Sequence, residues 1–268
     1  MTAIRSALAL TCCVPLFVAA APSAPRQPSA KWVVDFARHQ CLASREYRTG
    51  TPPLYLAFKP APSGDVMQIS LVLLRRASTI AVEEPVEIRF DDGAPIKTSL
   101  LAFGSKDIDR QVLRINLPLA SFAAAPRAAR LSIKAPRIID EQLQLSSMPV
   151  LMKQIDACLA DLRTYWNVEG GTLASKAQPV KPLAQYFDAE LYPEISVRGE
   201  QSGDVRFVLL IDEAGNVADC MVTATSSVPA LDAQTCIAAT KVKFKPALGP
   251  DCKAARDSIF SRIRWVLP

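Results

Sequence analysis

The chain has 268 residues, 50% of them hydrophobic, with a formal net charge of +5 and one histidine. At about 100–200 residues per domain, this is one large domain or two. The positive excess is small and scattered, which argues against a nucleic-acid face, and a single histidine excludes a multi-histidine metal site.

The chain begins with Arg5 ahead of an apolar run, Ala7-Leu8-Ala9-Leu10, continued by Val14 and Phe17-Val18. Val18 and Ala20 suit a signal-peptidase site, with Pro22 soon after. A positive start, a short apolar core and small residues at the exit form the secretory pattern. Residues 1–21 are therefore expected to be a cleaved signal peptide, and the protein to be periplasmic. Retention at the inner membrane, facing the periplasm, is the alternative, and membrane contact is expected only if the leader stays uncleaved. Pro15 interrupts the run, which falls short of a span of ~20 residues. Cys12 and Cys13 raise a lipoprotein reading, but Ala9-Leu10-Thr11 is a poor approach to a lipidated cysteine.

Beyond the leader stand Cys41, Cys158, Cys220, Cys236 and Cys252. In an oxidising compartment such scattered cysteines serve as structural disulfides. No CxxC occurs, so neither a thioredoxin-type site nor a ribbon-type zinc site is supported. An odd number leaves one thiol free or paired outside this fold.

Residues 22–30 are proline-rich and are expected to form a tether. Residues 31–167 are expected to form a β-rich domain. Trp32–Phe36, Pro53–Lys59 and Asp65–Leu74 have strand character, the last by clear alternation. Val86–Phe90 alternates into Asp91-Asp92-Gly93, a hairpin-type turn. Thr98–Phe103, Val112–Ile115 and Arg130–Ile133 follow. Leu151, Ile155, Cys158, Leu159, Leu162 and Trp166 then recur at helical spacing, after a start signal of Ser146-Ser147 and Pro149. Cys158 falls on the buried face of that helix. A bond to Cys41 would tie the two ends of the domain together; two unpaired buried thiols are the alternative. Residues 168–184 lack periodicity and are expected to be a linker.

The last segment, 185–268, is sharper. Val205, Phe207, Leu209 and Ile211 alternate with Arg206, Val208, Leu210 and Asp212. The second face is only partly polar, so this strand is expected to be covered on both sides. Glu213–Asn216 makes a turn with Gly215 free to take positive φ, and Val217–Thr225 returns. Ser226-Ser227 and Pro229 open a helix to about Lys241. Phe244–Ala247 is a short extended piece, and Ser258–Leu267 alternates again, with Ile259, Ile263, Trp265 and Leu267 on one side. The fold class is α+β: a β-rich domain closed by a helix, then a small ββαβ unit.

That order, with Tyr192-Pro193, Gly203-Asp204-Val205, Ile211–Val217, Cys220–Thr223, Leu231-Asp232, Cys236, Phe244–Ala247 and Arg264-Trp265, resembles the TonB C-terminal domain. The resemblance covers about residues 185–268. It implies a Cys220–Cys236 disulfide, leaving Cys252 as the odd thiol. It also implies that the terminal strand is a docking edge whose outward residues are Phe260, Arg262 and Arg264. The long spacer of a full TonB transducer is missing. More faintly, Trp32-Val33-Val34, Cys41 and the cysteine helix resemble exported proteins of the invasion-associated locus B type.

Catalytic signals are sparse. His39 stands alone, and no GxSxG, GxxxxGK[ST] or GxGxxG occurs. The acidic pairs Glu83-Glu84 and Asp91-Asp92 are expected at solvated turns. The expectation is a non-enzymatic periplasmic interaction protein without cofactor or metal. Its partner would be an envelope protein, such as a segment of an outer-membrane receptor, and not nucleic acid. The alternatives are a TonB-type energy transducer held by its leader, and an envelope enzyme with a site in the β-rich domain.

Overall fold

The computed structural model describes residues 24–78, 80–104, 109–171 and 173–267. The expected signal peptide lies outside the described residues. Among them, no helix is long and apolar enough to cross a membrane.

The first unit is one antiparallel sheet. Its strands are β1 (Val33–Ala37), β2 (Gln40–Tyr47), β3 (Leu54–Pro60), β4 (Val66–Leu73), β5 (Val82–Phe90), β6 (Ile96–Gly104), β7 (Gln111–Pro118), β8 (Arg130–Ala135) and β9 (Ile139–Gln144). The spatial order is β1-β2-β3-β4-β7-β6-β5-β8-β9. Alternation along these strands puts Leu54, Leu56 and Phe58, Ile69, Leu71 and Leu73, and Leu113, Ile115 and Leu117 on a single inner face. Phe122, from a short 3-10 turn after β7, packs edge-on against both Phe58 and Phe90.

All the strands expected from the sequence are present, and β2 and β9 are added. The curled sheet is laced shut by the proline-rich stretch expected as a tether. Arg26 N–H donates to Gln142 O (2.7 Å), Gln144 N–H to Arg26 O (2.9 Å), and Ser29 N–H to Glu46 O (2.9 Å). Arg26 also pairs with Glu141 through its guanidinium. From residue 24 onward this stretch is therefore bound between β9 and β2, because a curled sheet leaves edge carbonyls and amides that need partners.

Helix α1 (Met148–Tyr165) starts where the sequence indicates, with Pro149 in its first turn, but Ser147 gives no side-chain cap. Met148, Leu151 and Ile155 drop into the sheet's core. The same face continues as Cys158, Leu162 and Trp166 into a second apolar cluster. Cys158 is bonded to Cys41, 117 positions earlier, which ties the helix to β2.

The expected linker is held as well. β10 (Gln178–Pro179) pairs with β13 (Phe244–Lys245), and Ser175 bridges to Leu248 in β14 (Ala247–Leu248), which pairs with β15 (Ala254–Ala255). The rest of the second unit is α2 (Glu194–Arg198), β11 (Gly203–Ile211), β12 (Val217–Ala224), α3 (Pro229–Ala239) and β16 (Asp257–Trp265). Its sheet has the order β12-β11-β16. At the β11–β12 turn, Asp212 Oδ1 accepts from the amides of Ala214 and Asn216. Gly215 has φ +80°, and a Cβ there would lie 2.0 Å from Phe244 O, so no other residue fits.

Candidate functional site

β11 is buried on both faces, as its sequence indicates. Phe207, Leu209 and Ile211 pack with Ala239, Val242, Phe244 and Ala247. Val205 joins Leu231, Trp265 and Tyr192. On the opposite face, Val208 and Leu210 meet Met221 and, from the first unit, Cys41, Cys158, Leu162 and Trp166. The β-rich unit and its helix thus cover one side of the small sheet, while α3 covers the other.

β16 lies at the edge of that sheet. It pairs with β11 along its whole length, from Gly203↔Trp265 to Ile211↔Asp257, and with no other strand among the described residues. Phe260, Arg262 and Arg264 are all exposed and share one face. The two arginines converge on Asp204 of β11: Arg262 Nη2 lies 2.9 Å from Oδ2, and Arg264 Nε 3.0 Å from Oδ1. Hydrogen bonds from Arg264, then Arg262, pull the Asp204 carboxyl down to about 2. The edge therefore carries a net positive charge beside an exposed aromatic ring.

α3 is fixed from several directions. Cys236 is bonded to Cys220 of β12. Asp232, almost wholly buried, accepts from Thr225 Oγ1 (2.5 Å), Ser226 N (2.9 Å) and Ser226 Oγ (2.8 Å). Thr235 receives the indole N–H of Trp265 at 2.8 Å. Val228 stands at the N-cap and provides no side-chain acceptor. That role falls to Glu83 in β5, whose Oε1 accepts from Ala230 N and whose Oε2 accepts from Gln201 Nε2 at 2.9 Å.

Residues 188–267 match the family model for the Gram-negative bacterial TonB protein C-terminal. No curated protein matches the chain. The C-terminal unit is accordingly similar to the TonB C-terminal domain, a family of the Gram-negative envelope, and the α+β class holds for the whole chain.

The TonB-like module contains both disulfide partners implied by the resemblance, and Cys252 is a free, exposed thiol. His39 is exposed in the turn between β1 and β2. Glu83 and Glu84 correct the sequence reading: they sit inside β5, not at a turn. Glu84 meets Arg137, while Glu83 reaches into the other unit. Asp91 does lie at a turn, where it accepts from the amides of Ala129 and Arg130. Contacts between the two units escaped the sequence reading altogether. Lys59 pairs with Asp219 at 2.9 Å, and Asn116 Nδ2 donates to Asp232 at 3.2 Å. These partners are over 100 positions apart, with no local pattern linking them.

Proposed function

We propose that the protein is a periplasmic interaction protein that captures an extended segment of an envelope partner on the free edge of β16. The observation that carries this reading is the outer edge of β16, unpaired among the described residues, while its other edge is fully paired with β11. An added strand gains main-chain hydrogen bonds there, and its alternate side chains are selected by what lines the edge. Phe260 offers an apolar contact, and Arg262 and Arg264 favour acidic side chains. A segment of an outer-membrane receptor has the chemistry to fit, and the TonB-like match supports that class of partner.

The test uses the whole mature chain as bait in an envelope extract, with Arg262→Pro and Phe260→Asp variants beside it and circular dichroism as a folding check. Both folded variants should lose the partner that the unaltered chain retains. Equal recovery of the same partner by all three would discard edge docking.

The match also favours a second reading, an energy transducer. That activity needs retention at the inner membrane, so N-terminal sequencing of the processed protein separates the two. A mature start near Ala21 supports the periplasmic reading, and an intact leader supports the transducer.

A further inference from the structure

A half-open cleft of about 340 Å³ lies at the interface between the units. Its floor is the outer face of the large sheet. Register aligns Lys59, Gln68 and Asn116 side by side across β3, β4 and β7. Arg114 stands on the same face, two positions from Asn116. Its roof is β12 and α3, including Met221, Val222 and Ile237.

The polar groups of this cleft are matched except for one. Lys59 is neutralised by Asp219. Gln68 Nε2 donates to Asn116 Oδ1 at 3.0 Å, and Asn116 in turn donates to Asp232. Asp232 is saturated by Thr225 and Ser226. Among the described residues no side-chain or carbonyl acceptor is paired with Arg114: its Nε is buried without a hydrogen-bond partner, so the terminal nitrogens of the half-buried side chain are the ones left to meet an occupant of the cleft. The guanidinium carbon lies 5.6 Å from the centre of the Phe103 ring. Burial pushes the Arg114 guanidinium below its ordinary value. An unpaired, partly desolvated cation is costly to keep, and its planar fork fits a carboxylate or phosphate.

We propose that this cleft binds a small organic anion, with its carboxylate or phosphate group on Arg114 and its apolar part against Met221, Val222 and Ile237. The volume lies at the lower end of the ~300–1,000 Å³ typical of ligand sites. Because floor and roof belong to different units, an occupant would clamp them together. This site is independent of the β16 edge.

The test is calorimetric titration of the whole mature chain with inorganic phosphate and, separately, with benzoate. One probe at least should bind saturably, and the probe that binds identifies which oxyanion the site prefers. Arg114→Gln should weaken that binding about tenfold or more. Arg114→Lys, which keeps charge but loses the fork, should also weaken it. Arg76→Gln, at an exposed arginine that does not line the cleft, should leave it unchanged. No saturable binding of either probe, or binding unaffected by both Arg114 substitutions, overturns the proposal.

Discussion

The carboxylate of Glu83 accepts the backbone N–H of Ala230, joining residues 147 positions apart and in different units. It does for α3 what a Ser or Asp at the N-cap does for other helices. Glu83→Ala should cost about 1 kcal/mol in urea unfolding. It should also speed hydrogen exchange in the first turn of α3, whereas Glu83→Gln, which keeps an acceptor, should lose less. Unchanged exchange in Glu83→Ala would mean that solvent replaces the cap.

Asp204 should titrate unusually low. Its carboxyl is held at about 2, so its pairing with Arg264 and Arg262 is fully present above the ordinary value of 3.8 and disappears as pH falls through about 2. Carboxyl chemical shifts followed by NMR should show that midpoint, and one near 3.8 would contradict the arginine clamp. Asp204→Asn should free both arginines and steepen the salt dependence of partner binding.

Cysteine chemistry should divide cleanly in the mature chain. Cys252 should react with a maleimide in the native protein, and Cys41, Cys158, Cys220 and Cys236 only after reduction. Replacing both Cys220 and Cys236 by Ser should cost ~3 kcal/mol in the chain-entropy account for a loop of this length. Cys252→Ser should leave stability unchanged within about 0.5 kcal/mol.

The face of β11 turned toward the large unit should prove essential to docking. Val208 is fully buried there. Val208→Asp places an unpaired carboxylate in that seam and should separate the units, increasing the radius of gyration measured by X-ray scattering. Arg206→Asp, at an exposed position of the same strand, should not.

The elements legible in the sequence were those with strong apolar periods. α1 repeats its apolar residues at helical spacing, and β11 alternates so fully that its double burial is readable. β2 was hidden because its inward residues are Cys41, Ala43, Arg45 and Tyr47, only one of them large and aromatic. Arg45 is kept inside by carbonyls, Ala30 O at 2.8 Å and Ser146 O at 3.2 Å, that no local pattern announces. β9 turns only Ile139 and Leu143 fully inward. The exposure of Phe260, Arg262 and Arg264 agrees with the alternation of β16, whereas its place at the sheet edge came from the resemblance and not from the strand's own pattern. Glu83 and Arg114 were not legible, since each derives its role from a surface formed only when distant strands and a second unit meet.

Asp257, at the start of β16, has a fully buried side chain that accepts from Lys176 Nζ and Ala177 N, both at 2.8 Å. Those donors precede the stretch recognised as TonB-like, as do Leu183, Tyr186 and Phe187, which pack on its core. The portion that can be identified by kinship is thus shorter than the portion that packs as one core. A cut at residue 188 would take away two donors to Asp257, leaving it the amide of Ser258, and would uncover the apolar core that Leu173, Leu183, Tyr186 and Phe187 pack against.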